Sequence, residues 1–286
     1  MKRISKIILT LSMLSINTLA LPKVIYGDDN RRDVFAEPRA DLREIADSTV
    51  AMIANALLEN QGDKIKLYPQ LFGPGFSLCK EEPFYNQPSA AECSGFMVGE
   101  DLVATAGHCI NKTLCQFKSF VFNYRMLNND KAPKELSIDD VYACKEVVVR
   151  EQNDQNDYAI VRLDRPIRGH RALPMQKESM SVRDQVLVVG HPSGLPTKIS
   201  DDAYVRRTEE NFFMANLDTY GGSSGSAVFN AKTLAVAGIL TRGVDDFVWD
   251  SSRGCKVSNR CSNEYCNGEQ VMNIKSLAEA LGRISN

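Results

Sequence analysis

The chain has 286 residues, 43% of them hydrophobic and 24% charged, and a net charge of −2. That length buries a sizeable core in one large domain or two small ones, and the composition is ordinary for a folded globular protein rather than a disordered or fibrous one. The near-neutral balance gives no footing for nucleic-acid binding. The chain opens on "MKRISKIILTLSMLSINTLALPK", where Lys2, Arg3 and Lys6 precede an apolar run from Ile7 to about Leu21. A basic stretch followed by a short apolar one reads as a secretory signal peptide over residues 1–20, with a small-residue cleavage site at Thr18-Leu19-Ala20. The run is short for a membrane span and is broken by Ser, Thr and Asn, so no membrane association is expected after cleavage. Residues 21–48 follow as an N-terminal segment, with 21–23 as a short propeptide and a short helix at "ADLREIAD".

"STVAMIANALLEN" reads as strand then helix. Residues 60–92, with Pro and Gly around "YPQLFGPGF", read as an extended loop. Strand patterns then dominate: "SGFMVG", "LVATAG", "FVFNYRM", "CKEVVVR", "DYAIVRL", "DQVLVVG", "FFMANL", "SAVFN" and "LAVAGILTRG". Each is short, rich in β-branched or aromatic residues, and bounded by turn residues, which predicts an all-β sandwich or barrel rather than βαβ units. The last segment, "NIKSLAEALGRI", puts Ile274, Leu277, Leu281 and Ile284 on one helical face, as a short C-terminal helix packed on the body.

Export to the medium or the periplasm implies an oxidising compartment. The eight cysteines, Cys79, Cys93, Cys109, Cys115, Cys144, Cys255, Cys261 and Cys266, all lie in the segment left after cleavage. No C-x-x-C pair occurs, and His108 is the one histidine beside a cysteine, so disulfides are expected and no metal site or cofactor. A Cys93–Cys109 bridge would close a short loop behind His108. Cys115–Cys144 is the second expected pair, because each lies near the end of a strand pattern. The other four are expected to pair among themselves in an undefined order.

The chemistry concentrates at "TYGGSSGSAVF", residues 219–229. A Gly/Ser cluster is usually a turn or linker, but this one stops at Ala227 and enters apolar strands. Two nucleophile motifs pass through it. G-x-S-x-G, the elbow of the α/β-hydrolases, would use Ser223; Gly-x-Ser-Gly-small would use Ser224. A serine nucleophile needs a base, usually imidazole. The elbow order places that histidine after the serine, yet His108, His170 and His191 all precede it. The order His, Asp, Ser survives. His108 ends the strand pattern "LVATAGHCI", and Asp157 opens "DYAIVRL", where a carboxylate can point back at an imidazole and fix its tautomer. Asp154 is a weaker candidate within a polar run. A subtilisin-like order of Asp157, His191 and Ser224 would need parallel strands with crossover helices. His191 is therefore expected as a turn residue lining the cleft, and His170 as exposed.

"CSGFMVGEDLVATAGHC", "NDYAIVRLDRP" and "DTYGGSSGSAVF" together resemble the signature blocks of the chymotrypsin/trypsin-like serine peptidases, nearest to the secreted bacterial branch that includes the glutamyl endopeptidases. The likeness covers roughly residues 24–250, and "KVIYGDDNRRDV" resembles the mature amino terminus there. It implies two antiparallel six-stranded β-barrels of the chymotrypsin type, the first over 49–175 with an inserted loop at about 57–92, the second over 176–286 with the C-terminal helix. It also implies a secreted, monomeric serine endopeptidase acting on proteins or peptides through His108, Asp157 and Ser224, with the amides of Gly222 and Ser224 as the oxyanion hole. Alternatives are a catalytically inactive binding protein on the same fold, or an esterase using the same triad. For the specificity pocket, the resemblance points to Asp218, Thr219, Leu240 and Arg242. Asp218 stands where trypsin-like enzymes select Lys or Arg, and Thr219 matches a residue that binds a substrate carboxylate in glutamyl endopeptidases. Their pocket histidine falls at Leu240, which cannot donate a hydrogen bond. An Asp218–Arg242 pair would leave the pocket without a charge preference, so acidic and basic specificity both stay open.

Overall fold

The computed structural model of the protein describes residues 24–243, 245–263 and 266–284; the signal peptide and propeptide expected over 1–23 lie outside them. Six strands close a first barrel: β1 (Thr49–Ala54), β2 (Ala91–Met97), β3 (Leu102–Thr105), β4 (Lys118–Val121), β5 (Val141–Gln152) and β6 (Asp157–Leu163). Their order around the barrel is β1-β2-β3-β6-β5-β4, with β4 pairing back to β1. Six more close a second: β7 (Gln185–Gly190), β8 (Lys198–Thr208), β9 (Phe212–Ala215), β10 (Ala227–Asn230), β11 (Val236–Arg242) and β12 (Glu269–Asn273). Their order is β7-β8-β9-β12-β11-β10, and β10 pairs back to β7. The two barrels therefore share one topology, and closure leaves neither with a free edge.

Burial follows the apolar runs. Val50, Phe96, Val103, Phe120, Ile160 and Val161 fill the first barrel and Val186, Val205, Phe213, Val228 and Val271 the second, all essentially without exposure. One apolar cluster runs from the first barrel into the second through Leu187, Val189, Phe229, Ile239 and Met272, so the seam between the barrels is packed. The helix Lys275–Ile284 closes one end, burying Leu277 and Ala280, with Leu281 and Ile284 packed against the same cluster. The helix expected at "ADLREIAD" spans Ala40–Ala46.

The insertion is more ordered than its composition suggests. After β1, "NAL" makes a single 3-10 turn at Asn55–Leu57 where a longer helix was expected. Residues 58–60 and 64–67 form a hairpin that also pairs with 135–137, and Phe72–Phe76 is a short helix. The aromatic rings of Phe72, Phe76, Tyr220 and Phe247 pack on one another at centroid separations of 4.8–6.2 Å, which fixes the insertion to the second barrel. All eight cysteines are paired, as Cys79–Cys255, Cys93–Cys109, Cys115–Cys144 and Cys261–Cys266. Both named pairings are thus present, and the four remaining cysteines pair among themselves. Among the described residues, no helix is long and apolar enough to cross a membrane.

Candidate active site

Strand β3 ends at Thr105, and the chain turns through a single 3-10 turn, Gly107–Cys109, that presents His108 to solvent. Gly107 allows this turn to sit against β5 and β6, because a Cβ there would collide with the Glu151 carbonyl. Arg150 clamps the turn from β5: its Nε donates to the carbonyls of Gly107 and Ile110 at 2.8 and 2.7 Å, and the Cys93–Cys109 disulfide holds it from β2. Asp157, the first residue of β6, meets it there. Its Oδ1 accepts the His108 backbone N–H at 2.9 Å and its Oδ2 lies 2.7 Å from His108 Nδ1. Burial opposes ionisation of Asp157, but the hydrogen bonds and the charge of the His108 ring outweigh it and hold the carboxyl below its ordinary value. The carboxylate thus fixes the ring so that Nε2 faces outward.

Ser224 comes from the turn before β10 and docks on the first barrel. Its carbonyl accepts the Ser94 N–H at 2.8 Å and lies 3.7 Å from Cys109 Sγ, one residue from His108. Gly225 makes the approach feasible. Its φ is +87°, and a side chain would strike the Ser94 carbonyl and Thr105 Oγ1. Ser223, the rival nucleophile, is 2% exposed, whereas Ser224 is half-buried at the cleft.

Two backbone amides are aimed beside Ser224. The Gly221 carbonyl accepts the Ser193 N–H at 2.6 Å, and the Ser223 carbonyl accepts the Ser226 N–H at 2.9 Å. Because trans peptides place C=O and N–H on opposite sides, both bonds turn the following amides, of Gly222 and Ser224, the other way. Neither amide has an acceptor among the described residues. Gly222 has φ +87°, the left-handed region that glycine reaches without strain. Ser94 ties the parts together, donating from Oγ to the Gly222 carbonyl at 3.0 Å and accepting the His191 N–H at 2.9 Å.

His191 does not line the cleft. It is wholly buried, stacks on Tyr124 at 5.7 Å, and faces the Leu195 carbonyl through Nδ1. Burial pushes its pKa down to about 3, so it stays neutral. His170 corrects a second expectation: its side chain is 5% exposed and stacks on Phe122 at 4.4 Å. Cys93, His108 and Cys109 place ligand-type atoms close together, but both sulfurs are in the disulfide and unavailable to a metal.

Two cavities meet at Gly221 and Asp246. The larger, about 690 Å³, runs from Gly222 along Ala90–Glu92 and is walled by Tyr68 and Phe76 of the insertion. The smaller, about 260 Å³, opens at Ser224 and is lined by Thr219, Leu240 and Arg242, three of the four residues expected there. Asp218 is the exception. Its oxygens accept the backbone N–H groups of Tyr26 and Asn30 at 2.7 and 3.1 Å, so it braces the N-terminal segment and does not pair with Arg242. Burial raises its pKa to about 6, and the two amides offset part of that rise. Sequence reasoning missed Glu269 and Asp246 in this cavity, as it missed Ser94 and Arg150. Glu269 opens "EQVMN", a strand with little alternation, and only the closed barrel brings it alongside Thr219.

Two closed six-stranded barrels of identical strand order make a fold of the chymotrypsin type. Residues 93–239 match the model of the trypsin-like peptidase domain; this is more than half of the chain, which therefore belongs to that family and has protein or peptide substrates. No curated protein sequence matches the chain. Among solved structures, the VesB protease of Vibrio cholerae is 13% identical with a TM-score of 0.53, over 92% of this chain and 68% of its own. Mouse neuropsin, a serine protease, is 14% identical with a TM-score of 0.50, over 68% of this chain and 90% of its own. A Glu endopeptidase is 16% identical with a TM-score of 0.49, over 90% of this chain and 99% of its own.

Proposed function

We propose that the protein is an exported serine endopeptidase working through His108, Asp157 and Ser224. The observation that carries this reading is the His108 Nδ1–Asp157 Oδ2 contact of 2.7 Å, beside a serine whose carbonyl is docked on the same barrel. His108 Nε2 takes the proton from Ser224 Oγ as that oxygen attacks the scissile carbonyl, and Asp157 stabilises the imidazolium that forms. The amides of Gly222 and Ser224 hold the developing oxyanion. The imidazolium then protonates the leaving amine, leaving an acyl-enzyme, and a water deprotonated by His108 releases the acid. Acting within a chain needs a cleft that extends beyond the nucleophile, and the larger cavity, which adjoins the one at Ser224 through Gly221 and Asp246, supports that reading.

Export is supported by the basic and apolar N-terminus and by four disulfides. Protein recovered outside the cytoplasm is expected to begin at Leu21, or at Val24 after a second cut; N-terminal sequencing that finds Met1 retained contradicts export. For the chemistry, a peptide blocked at both ends should be cut internally. Ser224→Ala and His108→Ala should each lower kcat by about 10⁴-fold or more, and Asp157→Asn by about 10³–10⁴-fold, with unchanged circular dichroism. Full activity in Ser224→Ala would exclude the reading.

A further inference from the structure

The stretch "GDDNRRDV", residues 27–34, carries five charges in the six positions from Asp28 to Asp33. Such a run ordinarily lies in solvent. Here it is drawn against the second barrel. Asp218 accepts the Tyr26 and Asn30 N–H groups, Arg32 donates to both oxygens of Asp201 at 2.8 and 2.7 Å, and Asp33 accepts Lys198 Nζ at 2.6 Å. Arg31, between these anchors, turns inward until only 1% of its side chain is exposed. Its Nε and Nη2 donate to the two oxygens of Asp29 at 2.8 and 2.7 Å, a two-point charge-assisted pair. Nη2 also donates to the Tyr220 hydroxyl at 2.8 Å, and the guanidinium carbon lies 3.8 Å from the Tyr220 ring centroid, where the face of the ring attracts a cation. Nη1 has no acceptor among the described residues. Desolvation offsets most of the attraction in a buried ion pair, and apolar groups of similar volume often stabilise a fold as well. Stability alone therefore does not call for a guanidinium here.

What Arg31 touches gives it a second role. Tyr220 immediately precedes Gly221 and Gly222, and its carbonyl accepts the Ser223 N–H at 3.0 Å, closing the turn that leads to Ser224. The Tyr220 hydroxyl lies 2.5 Å from Ser258 Oγ, and its ring packs on Phe247 at 4.8 Å. Asp246 holds the same turn by accepting the Gly221 N–H at 2.8 Å. Resting on the serine-peptidase reading, we infer that Arg31 is a positioning residue: stacked on Tyr220 and bonded to its hydroxyl, it fixes the turn over residues 220–223 so that the amides of Gly222 and Ser224 stay aimed at the oxyanion, with Asp29 as its buried counter-ion. The charge that orders the turn comes from a side chain inside the N-terminal segment, 193 positions before Ser224 in sequence. Arg31 touches neither substrate nor the reacting atoms; it acts through Tyr220. Because those amides bear on charge that develops only in the transition state, loosening them lowers turnover and leaves ground-state binding of substrate nearly as it was.

The test separates positioning from folding. Arg31→Met combined with Asp29→Asn removes both charges of the pair at similar volume, so the fold should persist. With kcat counted per folded molecule by near-UV circular dichroism, the double variant should lose about 10²-fold in kcat, the scale of one missing oxyanion donor. Its KM for a blocked peptide should move by less than about threefold. A peptide aldehyde, whose hemiacetal oxygen occupies the oxyanion position, should bind more weakly by the same factor as kcat. Tyr220→Phe keeps the buried pair and the ring and loses only the hydroxyl bonds. It should show the same signature at about tenfold, and it gives the answer even where the double variant does not fold. Unchanged kcat in either folded variant, or a raised KM with kcat preserved, overturns the inference. Fluorophosphonate labelling keeps the two claims apart. No adduct on Ser224 of the wild type strikes the peptidase reading itself; an adduct there together with unchanged kcat in the variants strikes the role of Arg31 alone.

Discussion

Asp157 and Asp218 show how one side-chain type takes opposite electrostatic states. Asp157 accepts hydrogen bonds from His108, and its carboxyl is held below the ordinary value; Asp218 faces neutral amides in a buried site and is raised. Glu269 is the extreme of the second kind, and it makes a pH prediction. Its pKa in the folded protein lies above that of the unfolded chain, so its contribution to stability is fully present below pH ~4.5 and is lost as pH rises through about 8. The groups facing it are Tyr26 from the N-terminal segment, Thr219 and Asp218 from the loop before Ser224, and Asp246 across the cavity, with the exposed Arg242 as the cation on the same cavity wall. Urea unfolding of wild type and Glu269→Gln between pH 5 and 9 should show the wild type losing stability more steeply. Parallel curves would mean that the side chain is solvated and the carboxyl unperturbed. The proposed triad residues stand out in the sequence because each lies within a few positions of an apolar strand pattern. Glu269 does not, because its neighbours in the cavity, Tyr26, Thr219 and Gly243, are 243, 50 and 26 positions away.

At the scale of elements, the legible strands were those with strong β-branched runs: β2, β3, β6, β7, β10 and β11 fall on their predicted patterns to within three residues at each end. Two barrel strands were passed over. β8, "KISDDAYVRRT", is 11 residues of mixed charge, and it is stable because β7 and β9 pair with it on both sides. β12 is short and polar at its ends but lies between β9 and β11. Partner strands, not local propensity, make these two elements. The insertion has a similar logic. Its hairpin and short helix bury too little to be stable alone, and the Cys79–Cys255 bridge ties them to the second barrel across 176 positions of sequence. Replacing both cysteines by Ala should lower unfolding free energy by about 2–5 kcal/mol. It should also weaken substrate binding more than turnover, because Phe76 and Tyr68 wall the larger cavity. A rise in KM with kcat preserved is the expected signature; unchanged stability and KM would show that the aromatic contacts alone hold the insertion.

At the scale of the molecule, two barrels of identical strand order meet along a seam that is apolar inside and polar at the rim. Each contributes what the other lacks: the first supplies His108 and Asp157, and the second supplies Ser224, the turned amides and the acidic cavity. Ser94 bonds across that seam to Ser224, Gly222 and His191, so the proposed reacting groups are positioned by one interface rather than by either barrel alone. The central claim is therefore that Ser224, and neither of its neighbours, is the nucleophile activated across the seam. Reaction of the folded protein with a fluorophosphonate, followed by digestion and mass spectrometry, measures this directly. The account predicts one phosphonyl adduct, on Ser224, absent from the His108→Ala variant. An adduct on Ser223 or Ser226, or labelling of Ser224 that is indifferent to His108, would contradict it.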